Sequence, residues 1–97
     1  MKVLLVMNFN PELEEDMVDY LLGLVDIEGF TSYQVRGHGI HGNLSLSEQV
    51  SGRRKRLQIE MLLEQEAADQ VLAGIRESVG RDVVWWLQPV INSGRID

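Results

Sequence analysis

The side chains best suited to chemistry in this 97-residue chain are its two imidazoles, His38 and His41, set in the stretch Gly37-His38-Gly39-Ile40-His41-Gly42. Imidazole is a common transition-metal ligand and titrates near neutral pH. Three residues apart on a glycine-rich segment, the pair suits contact with one divalent ion, with Glu48 or a neighbouring subunit completing the set. The competing reading packs one histidine at a subunit junction and leaves the other solvated. The alternating glycines allow φ > 0 and close approach of a ligand to the backbone, which larger side chains block. Cysteine is absent, so no thiolate nucleophile, disulfide or Cys-ligated zinc is possible. Beyond the histidines no nucleophile or poised acid–base pair is visible, and the expectation is a protein without catalytic residues.

Charge narrows the choice of partner. The formal net charge of −6 works against nucleic-acid binding, which depends on Lys and Arg neutralising phosphates. Against that background Arg53-Arg54-Lys55-Arg56 stands out. In an extended chain these four cations divide two to each face, so they cannot form one flat patch. They read either as a strand entrance that pairs with carboxylates elsewhere or as an anion contact near the loop. Glu12, Glu14, Glu15 and Asp16 suit a solvated first helical turn that complements the helix dipole. No apolar run approaches the roughly 20 residues of a membrane span. The short apolar opening lacks a small-residue cleavage site, so the expected location is the cytoplasm, with no membrane insertion.

The elements that must position these residues follow from periodicity. Lys2 to Met7 reads as a strand covered on both faces. Asn10 caps and Pro11 opens a helix expected to run to Val25, with Leu13, Met17, Tyr20, Leu21 and Leu24 along one stripe. Phe30 to Arg36 alternates as a second strand and leads into the glycine–histidine stretch. A long polar loop to Gly52 follows, of the kind that more often carries function than architecture. Leu57, Ile59, Met61 and Leu63 face one way along a third strand, with Gln58, Glu60 and Glu64 opposite. A second amphipathic helix is expected from Gln65 to Ser78, stopped by Gly80, and a fourth strand from Asp82 to Val90.

The order β-α-β-β-α-β implies an α+β, ferredoxin-like domain over residues 1–97, a four-stranded antiparallel sheet with two helices on one face. Adjacent Trp85 and Trp86 must point in opposite directions, so one lies on the helix-free side. There a ring of about 200 Å² contributes on the order of 5 kcal/mol if covered. That argues for a homo-oligomer in which the sheets of several subunits pack together. Gln58 and Glu60 weigh against it, since both would need partners in such an interface.

The run Val35-Arg36-Gly37-His38-Gly39, a loop, and then Arg56-Leu57-Gln58-Ile59-Glu60-Met61 resembles the PII signal-transduction superfamily. There a Val-Lys-Gly-aromatic-Gly segment opens the T-loop and a Lys-x-Lys-Ile-Glu-Ile strand returns from it. The resemblance covers nearly the whole chain. It implies a homotrimeric sensor that binds a small effector, an adenine nucleotide among the candidates, in clefts between subunits and signals to a partner protein through the loop at 38–52. It is nearest a PII-like branch encoded beside heavy-metal efflux pumps, which makes a membrane transporter one candidate partner. Gly37 and Gly39 match the T-loop base, His38 takes the aromatic position and His41 falls near an effector-contacting glutamine. Arg95 stands in for a C-terminal arginine that reaches phosphates. The phosphate cradle Thr-Gly-x-x-Gly-Asp-Gly-Lys is reduced to Ser78-Val79-Gly80-Arg81-Asp82, and no T-loop tyrosine remains. A metal-tolerance protein of the CutA type, also a ferredoxin-like trimer, is the rival, with His38 and His41 as divalent-metal ligands. It lacks a glycine-rich start to a long loop. An RNA-recognition module shares the fold but needs base-stacking aromatics, which strands one and three lack.

Overall fold

The computed structural model describes residues 1–39 and 53–97. Strand β1 spans Lys2–Phe9, a 3-10 turn Pro11–Leu13 leads into helix α1 at Glu14–Leu22, and β2 spans Thr31–His38. After the segment 40–52 come β3 at Arg53–Glu64, helix α2 at Gln65–Ser78 and β4 at Val84–Pro89. The strands pair antiparallel in the order β2-β3-β1-β4, so the ferredoxin-like α+β arrangement expected from the sequence is the one observed.

Alternation sorts each strand between two faces. Val3, Leu5, Met7 and Phe9 of β1 lie beside Leu57, Ile59, Met61 and Leu63 of β3 and pack against Met17 and Leu21 of α1 and Ala68, Val71 and Ile75 of α2. This is the core. Glu12 of the 3-10 turn and Glu14, Glu15 and Asp16 of the first turn of α1 are exposed, as expected of a solvated acidic face. At the junction, the Asn10 side chain accepts a hydrogen bond from the Glu12 amide at 2.9 Å, which satisfies an orphan donor.

Several boundaries differ from the sequence expectation. The first helix is α-helical only from Glu14 and stops at Leu22, because the Gly23 amide turns onto the Asp19 and Tyr20 carbonyls at 3.2 Å each and closes it. Val25 is left exposed beyond the end. Strand β1 continues to Phe9 because that ring is fully buried in the core. Strand β2 runs on through Gly37 and His38, which pair with Arg54 and Arg53, so the cationic run lies inside β3 rather than upstream of it. Strand β4 starts only at Val84, since Asp82 adopts φ 63°, a left-handed conformation that no strand accommodates. Helix α2 matches its expected span, and Gly80, at φ 151°, donates to the Ile75 carbonyl at 3.0 Å to end it.

The helix-free face carries Leu4, Val6 and Asn8 of β1, Gln58, Glu60 and Leu62 of β3, and Val84, Trp86 and Gln88 of β4 in register. Trp86 is therefore the tryptophan on this side, while Trp85 pairs with Met7 on the helix side. Val6 is only 2% exposed, but Trp86 remains 40% exposed and Leu62 and Val84 are exposed beside it. Among the described residues, no helix is long and apolar enough to cross a membrane.

Candidate functional site

The site grows from a single strand position. Arg54 and Arg56 are two apart on β3 and so share the helix-free face. Arg56 is 4% exposed, deeper than a cation rests unless every donor finds a partner. Its Nε donates to Asn8 Oδ1 at 2.6 Å and Nη2 to the Asn8 and Asp82 carbonyls at 2.9 and 3.1 Å. Nη1 donates to Asp82 Oδ2 at 3.2 Å, and Arg54 Nη2 reaches the same oxygen at 2.6 Å. Burial pushes the Asp82 carboxyl up, but the hydrogen bonds and charges of Arg54 and Arg56 outweigh it and leave its pKa below the ordinary carboxylate value.

A directed chain of hydrogen bonds continues from this knot across the sheet. Asn8 Nδ2 donates to Gln58 Oε1 at 3.1 Å, Gln58 Nε2 donates to the Tyr33 hydroxyl at 2.7 Å, and the Tyr33 hydroxyl donates to Glu60 Oε2. Every donor points the same way, from the Arg56 cation to the Glu60 carboxylate, so each bond polarises the next. The Glu60 contact raises the pKa of Tyr33, with burial adding to it. Gln58 and Glu60, the polar residues that weighed against a covered face, thus have partners within their own chain.

Beside the knot lies a cleft of about 370 Å³ lined by Asn8, Gly37, Arg54, Arg56, Asp82, Val84 and Trp86. Two guanidiniums, one carboxylate and a half-exposed indole converge there. Gly37 makes the β2 wall thin, for a Cβ at that position would stand 3.5 Å from Arg56 Cγ. Such a cleft is chemically equipped to hold a small anion and to stack a planar group on Trp86.

Of the residues singled out by sequence, only Gly37 reaches this cleft. His38 follows it on β2, belongs to the opposite face of the sheet and is exposed. Gly39 takes φ 114°, the left-handed region that favours glycine, so the chain turns there as the alternating glycines allowed. His41 lies outside the described residues. Arg95 sits in the exposed tail, its Nε 3.1 Å from Asp97 Oδ1, and does not reach the cleft of its own chain. Among the described residues, no three His, Asp or Glu side chains gather to hold a metal ion. Arg54 and Arg56 were within reach of sequence reasoning through the anion reading of the cationic run. Asn8 and Asp82 were not, because neither carries a local signal that it meets an arginine about 48 or 26 residues away.

Comparison with known proteins places the fold and the family. No curated protein matches the chain. A crystal structure of a DUF3240 family protein from Shewanella baltica superimposes with a TM-score of 0.80 at 18% identity, covering 99% of this chain and 97% of that one. A candidate PII-like signaling protein from Thermus thermophilus superimposes with a TM-score of 0.63 at 19% identity, covering 90% of this chain and 84% of that one. The fold is therefore PII-like. The model of a family described as a protein of unknown function, DUF3240, matches residues 1–97 throughout, and the chain belongs to that family.

Proposed function

We propose that the chain is a regulatory protein of the PII-like kind, a homotrimer without catalytic activity. A small effector binds at the cleft of Asn8, Gly37, Arg54, Arg56, Asp82, Val84 and Trp86, and the 38–52 segment carries the response to a partner protein. The observation that carries this reading is the position of Gly37, which both lines the cleft and leads directly into that segment. An effector seated there touches the root of the segment at Gly37.

The oligomer is supported by the helix-free face, where Leu62, Val84 and Trp86 are exposed around a buried Val6, and by Ile91 and Ile96, which are exposed along the tail. Joining such surfaces between copies would cover apolar area that a lone chain leaves in water. A cleft at the edge of that face would then lie between subunits, and a neighbour's Arg95 is the residue to complete it. A transporter of a heavy-metal efflux system as the partner, and an adenine nucleotide as the effector, rest on the family resemblance alone.

Calorimetric titrations with ATP, ADP and AMP, and with Cu²⁺, Zn²⁺ and Ni²⁺, test the reading on wild type and on a His38→Ala/His41→Ala double variant. Saturable nucleotide binding that survives the double substitution supports it. Metal binding that the double substitution abolishes, with no nucleotide binding, overturns it in favour of a CutA-like metal protein.

A further inference from the structure

The proposed effector cleft already contains an anion of its own. Asp82 Oδ2 sits 2.6 Å from Arg54 Nη2 and 3.2 Å from Arg56 Nη1, where both guanidiniums point a donor at one oxygen. That is the geometry with which a pair of arginines receives a phosphate or carboxylate oxygen. The two partners differ in how firmly they are held. The arginine side chains are 12% and 5% exposed, Arg56 being fixed by three further hydrogen bonds, whereas the Asp82 side chain is 55% exposed.

The backbone of Asp82 also favours release. At φ 63° it is the only described non-glycine residue in the left-handed region, between Gly80 and the start of β4. A conformation of that kind persists only while its surroundings hold it. The side chain's visible anchors are the two guanidiniums themselves. Val84 and Trp86 also line the cleft, apolar surface that an incoming oxyanion's organic part can cover.

We infer that Asp82 is an internal occupant of an oxyanion seat made by Arg54 and Arg56, and that a phosphate- or carboxylate-bearing ligand binds by displacing its carboxylate. Displacement exchanges one anion for another at the same donors. Arg56 therefore keeps its charge satisfied throughout, while the turn between α2 and β4 loses its side-chain tie to β3 and keeps only the Asp82 carbonyl's bond from Arg56. The ligand's chemistry is thus read twice, once by the arginines and once by the freedom of the Gly80–Asp82 turn. This inference rests on the cleft proposed above as the effector site and adds the class of ligand and its competitor.

The test is made in a Trp85→Phe background, so that the fluorescence reports Trp86. Inorganic phosphate and, separately, succinate are titrated at constant ionic strength, which keeps bulk screening out of the comparison. Asp82→Asn keeps the backbone carbonyl that Arg56 uses and tolerates a left-handed φ, but removes the Asp82 carboxylate from the seat. The expected result is oxyanion affinity about tenfold or more above the parent, the factor recovered when a seat held nine parts in ten by a competitor is vacated. Adding Arg54→Gln to Asp82→Asn is expected to return the affinity to the parent level or below. Phosphate winning over succinate assigns a phosphate-bearing ligand, and the reverse assigns a carboxylate. Equal affinity in parent and Asp82→Asn, with both variants melting cooperatively, overturns the inference, as does binding by Asp82→Asn that Arg54→Gln leaves unchanged. If organic effectors bind the parent while phosphate and succinate ignore Asp82→Asn, this inference falls and the effector site stands. If Asp82→Asn gains oxyanions while no effector binds the parent, the regulatory reading falls and the oxyanion seat stands.

Discussion

At the scale of single residues, Arg56 shows how a charge is kept inside a small domain. Its value lies less in the ion pair than in what would be orphaned without it. Arg56→Ala would take the guanidinium donor from Asn8 Oδ1 and from the Asn8 and Asp82 carbonyls and leave the Asp82 carboxylate to Arg54 alone, and leaving such part-buried acceptors unsatisfied costs about 1–3 kcal/mol. Urea unfolding should show that loss as a lower midpoint, and Arg56→Lys should recover less than half of it because an ammonium cannot reproduce the fork. Asp82 gives the pH dependence. Its folded pKa is depressed, so its stabilising contribution is complete above the ordinary carboxylate value and is lost as pH falls through the lowered one. Thermal melts from neutral pH down through the carboxylate range should therefore lose part of their acid sensitivity in Asp82→Asn, whereas a wild-type slope in that variant would place the sensitivity elsewhere. Arg54 and Arg56 were legible as a pair of cations on one strand face; that they converge on Asp82 was not, because a turn 26 residues away has to deliver it.

At the scale of elements, the two helices meet through a contact that the hydrophobic stripe alone did not disclose. Tyr20 of α1 lies on the expected apolar stripe, yet its hydroxyl reaches over α2 and donates to the Val71 carbonyl at 2.8 Å. Gly74 makes room for it, since a Cβ there would stand 2.2 Å from the Tyr20 oxygen and 3.0 Å from Cζ. In an isolated helix Gly→Ala is stabilising by about 1 kcal/mol. Here Gly74→Ala should instead destabilise, because a rigid ring must move and its hydrogen bond is lost, at a cost of about 1–3 kcal/mol beyond the helical gain. Equilibrium denaturation of Gly74→Ala, and of Tyr20→Leu/Gly74→Ala as the variant that relieves the clash, measures both terms. The amphipathic stripes themselves were plain from spacing. The ends of the elements were less so, since Gly23 stops α1 by its own backbone bonds and Asp82 delays β4 by a φ value that composition does not encode.

At the scale of the whole molecule, the decisive feature is a sheet with one face packed on helices and the other half covered. The polar chain from Arg56 to Glu60 satisfies one side of that second face, leaving Leu62, Val84 and Trp86 as its exposed apolar side. Leu62 pairs with Leu4 and does not line the cleft, so its substitution perturbs the apolar side of the face without changing a cleft residue. Sedimentation velocity of wild type should show a trimer. Leu62→Glu should shift it toward smaller species while the far-ultraviolet circular dichroism is retained. A wild-type monomer, or a Leu62→Glu trimer of undiminished stability, would remove this face as the subunit interface.

What the sequence by itself determined was the order and type of the elements, and with them the sheet topology, because hydrophobic period and cap residues act over a few neighbours. Alternation likewise decided that Trp85 and Trp86 part company and that the four cations divide between faces. What only the tertiary structure decided was which polar residues meet. The cleft joins Asn8 of β1, Gly37 of β2, Arg54 and Arg56 of β3, Asp82 of a turn and Trp86 of β4. Their separation in the chain carries no periodic signal, and strand register with one left-handed residue brings them together. The histidines stand out by spacing, whereas the convergence of Arg54 and Arg56 on Asp82 belongs to the fold.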